Sequence, residues 1–290
     1  MMSIAIQEPY VETELHRRVE HWLQHGIPPI LILYGPPGCG KTTTMRHLLL
    51  GEQADQLPVV WLPATWGASL ETMMGFWELR PGQGTVFIEG ELFQGLTTEN
   101  CVIVIDDAHT VATELQLLNG VGDVTREVTC ASLGRKIEIA TGVRLVLVAN
   151  PPAPDLPPWE RTRWELPEQI RDRARMIELK DGLPREDELA IAGLHFPQSH
   201  PQEVLEGMVD LVRNLRQNGV LYSYTPSVRS LVMWCQLMEQ GLSLGEAYLE
   251  AVANKFLKPE EYAAAIESFQ AKFDVDPTES STSKEGSDEG

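Results

Sequence analysis

Gly35-Pro36-Pro37-Gly38-Cys39-Gly40-Lys41-Thr42 follows the apolar run Ile30 to Tyr34 and precedes a helical stretch from Thr43 to Leu50. The spacing fits G-x-x-x-x-G-K-[ST] without a mismatch, the pattern of a phosphate-binding loop set between a strand and a helix. Its glycines let the backbone curl so that successive N–H groups face phosphate oxygens, and the dipole of the following helix adds to the attraction. Lys41 supplies a point charge for the β and γ phosphates. Thr42 offers a hydroxyl to Mg²⁺, which bridges the same phosphates and keeps several of its waters. A Gly/Pro-rich turn with an accidental lysine would need neither the strand before nor the helix after.

Outward from this loop, two more buried runs end in polar residues. Cys101 to Ile105 is mostly β-branched, the pattern of a strand covered on both faces of a parallel sheet, and it ends in Asp106-Asp107. Carboxylates at the carboxyl end of such a strand face the ligand crevice. Asp106 is expected to hold Mg²⁺ through water and Asp107 to orient an attacking water, the two tasks phosphoryl transfer needs beside the loop. Leu145 to Ala149 is a similar run ending in Asn150 and Pro151-Pro152, and its amide is placed to touch the γ-phosphate or the water.

A helix precedes the loop: Val11, Leu15, Val19, Trp22 and Leu23 recur at helical spacing, and Gly26 with Pro28-Pro29 stops it. Val59 to Leu62 reads as a second short strand. The segment from Ala64 to Gly84 is open. Trp61, Trp66, Phe76 and Trp77 fit either a core or a partner-contacting loop. Beyond about Lys180 strands give way to helices alone, with an amphipathic face from Val204 to Leu215, an expected N-cap at Thr225 with Pro226 at N1, a capping box from Ser243 to Glu246 and a last helix from Pro259. Val275 to Gly290 is nearly devoid of large apolar residues and is expected to be a disordered acidic tail. The expected organisation is an N-terminal helix over 1–28, a nucleotide-binding α/β domain over 29–180, a helical lid over 181–273 and the tail over 274–290.

Composition narrows the partners. A formal charge of −19 opposes a broad nucleic-acid surface, because phosphate neutralisation needs clustered Lys and Arg. No apolar run approaches a membrane span, and residues 1–14 have neither the basic region nor the apolar core of a signal peptide, so a cytoplasmic location is expected. Cys39, Cys101, Cys130 and Cys235 are scattered without C-x-x-C spacing and read as free thiols. His21 and His25 stand four apart, but Trp22 replaces the glutamate of H-E-x-x-H, which favours an ordinary polar helix face.

With these motifs in place the chain resembles the AAA+ ATPases, specifically the MoxR and midasin-like branch that includes CbbQ, NorQ and gas-vesicle N proteins. Met74-Gly75 and Gly90-Glu91-Leu92 are similar to that branch's Leu-Gly and Gly-x-Leu signposts. Gly134 to Ile137, running to Arg144-Leu145, is similar to its hairpin before sensor 1, with Asn150 as sensor 1. Leu166-Pro167-Glu168 with Arg171-Asp172-Arg173 resembles the segment that ends in the family's Arg-Phe pair, and Ser227-Val228-Arg229 resembles its sensor 2 motif. The resemblance implies a P-loop NTPase with a three-layer parallel sheet and a small all-helical lid, acting on ATP with Mg²⁺. Pro36, Pro37, Gly38, Cys39 and Thr43 would join Gly35, Gly40, Lys41 and Thr42 in the nucleotide loop. It also implies a homo-oligomeric ring, a hexamer in related proteins, in which Arg173 reaches the neighbour's ATP and Arg229 reports nucleotide state. Such proteins remodel client proteins, often with a partner carrying a von Willebrand factor A domain.

Two departures stand out. Asp106-Asp107 replaces the family's Asp-Glu, and Arg173-Ala174 replaces its Arg-Phe. The first leaves open a nucleotide-gated scaffold with weak or no ATPase activity. The second leaves Arg171 as a competitor for the trans role. A GTP-driven nucleic-acid processor fits less well, since no N-K-x-D surrounds Asn150 and the charge opposes DNA.

Overall fold

The computed structural model describes residues 10–51, 57–65, 69–152, 156–180, 182–217 and 224–278. Trp66 lies outside them, as do residues 279–290 of the expected tail. The strands are β1 Ile30–Tyr34, β2 Val59–Pro63, β3 Gly75–Arg80, β4 Gly84–Glu89, β5 Val102–Asp106, β6 Glu127–Cys130, β7 Arg135–Glu138, β8 Arg144–Ala149 and β9 Ala174–Glu178. The helices are α1 Glu14–His25, α2 Lys41–Leu50, α3 Leu70–Met74, α4 Glu91–Thr97, α5 Pro158–Trp164, α6 Glu168–Asp172, α7 Arg185–Gly193, α8 Gln202–Gln217, α9 Val228–Glu239, α10 Leu244–Ala251 and α11 Pro259–Phe273. Two compact units result. The first gathers the described residues of Glu12–Pro36 and Gly40–Gly182, and the second those from Leu183 onward with Tyr10, Val11 and Pro37–Cys39.

The first unit is built on a five-stranded, all-parallel sheet of order β2-β5-β8-β1-β9. Ile30 to Leu33, Val102 to Ile105 and Leu145 to Ala149 are buried without a polar interruption, because each of these three central strands is covered on both faces. That burial turns all polar chemistry out to the carboxyl ends. The order places β1 beside β8 and β8 beside β5, so the residues after Tyr34, Ile105 and Ala149 emerge along one edge. α1 is capped by Thr13, whose hydroxyl accepts from His16 N at 3.3 Å, and ends at Gly26 in the left-handed region. Its Trp22 is fully buried, with Nε1 donating to Pro28 O at 2.8 Å.

Two small hairpins leave this sheet. β3 and β4 pair antiparallel from Gly75↔Glu89 to Arg80↔Gly84, and β3 falls in the C-terminal half of the segment whose role the sequence leaves open. Phe76 is 51% exposed and Trp77 52%, whereas Phe87 is partly buried against the core. The flanking signposts have a steric cause. A side chain at Gly90 would collide with Met73 O, so only glycine lets the returning strand close against α3. The second hairpin corrects the expected one: its arms are β6 and β7, while Arg144 already belongs to the main sheet.

The second unit is all-helical. Trp234, Tyr248 and Phe269 form its centre, with Tyr248 stacked on Phe269 at 4.6 Å. Their polar atoms are satisfied by backbone: Trp234 Nε1 donates to Leu244 O at 3.0 Å and Tyr248 Oη to Ala265 O at 2.8 Å. Glu188 is wholly buried and paired to Arg216 at 2.6 Å and Arg213 at 3.4 Å. Truncating Arg216 would remove the shorter of these two pairings and leave the buried carboxylate to Arg213 alone, at a cost of up to about 3–5 kcal/mol. The capping box of Ser243 and Glu246 forms as read, Glu246 N donating to Ser243 Oγ at 3.3 Å and Ser243 N to Glu246 Oε2 at 3.0 Å. The N-cap expected at Thr225 is instead Ser227, two residues later, where Ser227 and Ser230 form a capping box and Tyr224 Oη meets Ser230 Oγ at 2.5 Å. The expected tail begins too early: Pro277 is buried against Gly245, and Asp276 accepts from Thr278 N at 2.9 Å. No helix among the described residues is long and apolar enough to cross a membrane.

Candidate functional site

The loop after β1 ends at Gly40, which caps α2 at φ 81°, a conformation that a side chain would strain. Lys41 is the first residue of α2 and is only 5% exposed. Its ammonium turns back along the loop and donates to Gly35 O at 2.7 Å and Pro36 O at 2.8 Å. Nζ also reaches Asn150 Oδ1 at 2.9 Å. Thr42 Oγ1 donates to Asp106 Oδ1 at 3.0 Å, whereas Thr43 is exposed. Cys39 is a buried free thiol.

Asp106 is the last residue of β5, and Asp107 leaves the strand in the left-handed region at φ 55° with an exposed side chain. Asp is one of the few residues that enters this region at modest cost. The turn is held by Thr110, whose N and Oγ1 donate to Asp107 O at 2.9 and 3.0 Å. Asn150 follows β8, next to β5 in the sheet, and its Nδ2 donates to Asp107 Oδ1 at 3.3 Å. One amide therefore bridges Lys41 and Asp107, residues from two different elements. Of the sequence-predicted residues of the first unit, Gly35, Gly40, Lys41, Thr42, Asp106, Asp107 and Asn150 converge on this edge.

The set suits Mg²⁺. Thr42 and Asp106 offer hard oxygen donors already within hydrogen-bond distance of each other, and Mg²⁺ is commonly held by one or two such groups plus phosphate oxygens. Among the described residues no group of three or more His, Cys, Asp or Glu is arranged as a metal cage.

One residue at this edge escaped the sequence reading. His109, buried at 6% exposure, accepts the Asn150 N–H at Nδ1 (3.3 Å) and stacks on Trp164 with ring centroids 4.8 Å apart. Burial holds its pKa below the ordinary histidine value; Asp107 and Asp106 pull it up and Lys41 pushes it further down. The available signal was position alone, two residues beyond Asp107.

The arginines stand on other elements. Arg173 is the C-cap of α6, donating from Nη1 to Gln169 O at 3.0 Å, with Nη2 3.6 Å from Asp123 Oδ2. Arg171 lies in the last turn of α6 and is exposed. In the second unit Arg229 is the second residue of α9 and is exposed; after burial, its charge is the next cause that lowers the pKa of Lys255.

Comparisons with known proteins agree in kind. The family model for the AAA domain of the dynein-related subfamily matches residues 30–173, and the model for the CbbQ/NirQ/NorQ C-terminal region matches 198–272. An uncharacterized protein of Staphylococcus epidermidis is 28% identical over 128 residues, covering 41% of this chain and 46% of that protein. One of Staphylococcus haemolyticus is 28% identical over 125 residues, with the same coverage of 41% and 46%. The chain thus spans about half the length of the curated relatives it matches. Among solved structures, NtrX from Brucella abortus in complex with ADP is similar at TM-score 0.49 and 13% identity, over 81% of this chain and 52% of that one.

Proposed function

The chain belongs to the dynein-related, MoxR-like branch of the AAA+ family, and on that premise we propose that it binds ATP with Mg²⁺ and hydrolyses it to remodel a client protein. The observation that carries this reading is the junction at Asn150, where one side chain joins the Lys41 ammonium at 2.9 Å to the Asp107 carboxylate at 3.3 Å. In the proposed reaction Gly35 to Thr43 wrap the phosphates and Lys41 exchanges its carbonyl partners for phosphate oxygens. Thr42 and Asp106 would hold Mg²⁺, which neutralises charge on the bridged phosphates. Asp107 orients the attacking water and accepts its proton, while Asn150 keeps that carboxylate aligned with the γ-phosphate.

Residues 29–180 would then be the nucleotide-binding domain and 181–273 its lid, with Arg229 as sensor 2. Arg173 would complete the neighbour's site in a homo-oligomeric ring, a hexamer by family resemblance. A cytoplasmic setting and a von Willebrand factor A partner belong to the same reading. Calorimetric ATP binding and steady-state turnover, measured on the parent and on Lys41→Ala, test it. Binding that survives in Lys41→Ala overturns the site.

A second reading has its own support. Asp107 is one methylene shorter than the family's glutamate and is exposed, so an ATP-gated scaffold with little turnover is the alternative. A parent that binds ATP and does not hydrolyse it, with or without partner proteins, selects the scaffold.

A further inference from the structure

We propose that His109 is a positioning residue for ATP hydrolysis, fixing the backbone of Asn150 so that its amide meets Lys41 and Asp107 together. The inference rests on the ATPase reading above and adds to it a residue that none of the nucleotide-binding motifs contains.

Three observations carry it. First, the donor in the contact is a backbone N–H, so Nδ1 of His109 has to be the bare acceptor and any ring proton sits on Nε2. Second, Asn150 lies just past the last ladder residue of β8, Ala149, and just before Pro151. Its N–H is therefore outside the sheet ladder, and His109 supplies the acceptor a strand would otherwise supply. Third, the imidazole cannot swing away. It is 6% exposed, its face lies against Trp164 at an interplanar angle of 23°, and the turn behind it is locked by Thr110.

The burial that keeps the ring neutral preserves this acceptor. A protonated ring would aim an N–H at an N–H and add positive charge beside Lys41. The consequence falls on geometry. Asn150 joins Lys41 and Asp107 through opposite ends of one planar amide, at 2.9 and 3.3 Å, so a small shift of its backbone lengthens one contact or the other. A displacement of ~1 Å in such a constellation costs about 100-fold in rate. Nucleotide binding rests on the loop and Lys41, whereas the hydrogen bond of His109 goes to the backbone of Asn150.

The test uses two substitutions in the full chain. His109→Phe keeps an aromatic face on Trp164 and removes the acceptor. His109→Asn returns a short acceptor near the Nδ1 position. His109→Phe is expected to lower kcat by about 10- to 100-fold with the ATP Kd within about twofold of the parent, and His109→Asn to recover most of the loss. A His109→Phe protein that turns over like the parent overturns the proposal. So does a pair of folded variants equally impaired, since the ring rather than its acceptor would then matter.

Nitrogen-15 spectra of the histidine-labelled parent give a second reading that needs no variant. A bare Nδ1 with protonated Nε2 on His109 supports the proposal, and a proton on Nδ1 overturns it. Failure of the underlying function looks different: a parent that binds ATP without hydrolysing it removes both inferences, whereas an active parent with an indifferent His109→Phe removes only this one.

Discussion

The ligand edge of the parallel sheet and the β3–β4 hairpin belong to the same unit and were built by opposite rules. At the edge, polar side chains are drawn inward and tied: Lys41 donates to oxygens of Gly35, Pro36 and Asn150, Asn150 contacts both Lys41 and Asp107, and His109 is buried. On β3 of the hairpin, apolar side chains face outward, with Leu79 77% exposed beside Phe76 and Trp77. The hairpin is anchored at few points, among them Trp77 Nε1 donating to Ser132 O at 2.7 Å and the edge contact of Trp77 with Phe87. Preorganisation of charge needs burial and mutual hydrogen bonds. An exposed apolar side chain gains little from burial in the fold that carries it.

That contrast is open to experiment. The largest expected effect is at the edge: Lys41→Ala should abolish ATP binding, because the remaining loop contacts are neutral groups that cannot replace a cation, and a calorimetric titration reads this directly. Next is the trans arginine. Arg173→Ala should leave binding near the parent's and cut turnover by ~10³ to 10⁵, with activity returning when its subunits are mixed with Lys41→Ala subunits. If Arg171→Ala carries that loss and Arg173→Ala does not, the Asp123 pairing of Arg173 is structural and the exposed Arg171 is the residue that crosses.

A smaller change is expected at Asp107. Its carboxylate sits one methylene short, so Asp107→Glu should raise the single-turnover rate, by up to about 100-fold if ~1 Å of misplacement is recovered. Asp107→Asn should stop hydrolysis and leave ATP bound. A slower Asp107→Glu would mean that the left-handed turn has already carried the aspartate to its working position. The smallest effect belongs to the hairpin: Phe76→Ser with Leu79→Ser should move the unfolding free energy by no more than about 0.5 kcal/mol per exposed site and leave basal ATPase unchanged. A large loss of stability in chemical denaturation would erase the contrast, since the outward apolar side chains would then be holding the fold.

How far each region could be read in advance differs for the same reason. The runs Ile30–Tyr34, Cys101–Ile105 and Leu145–Ala149 announced buried strands, because a strand covered on both faces tolerates no polar interruption. The hairpin carried no such pattern, and aromatics such as Trp77 suit a core as well as a surface. The N-cap falls at Ser227 rather than Thr225, where Tyr224 and Ser230 meet, a contact that spacing alone does not reveal.

By itself the sequence determined the phosphate loop, the parallel α/β class, the helical character beyond Lys180 and the acidic and amide residues at the strand ends. Each of these is written in local spacing: which residue follows which, and with what period. Tertiary structure alone decided which strand ends become neighbours, and through them that Lys41 meets Asn150 across 109 positions of chain, that His109 turns inward beneath that amide and that Arg173 pairs with Asp123. Periodicity reports how a residue faces within its own element; contacts between elements depend on strand order and on crossovers dozens of residues long, and no local pattern encodes them.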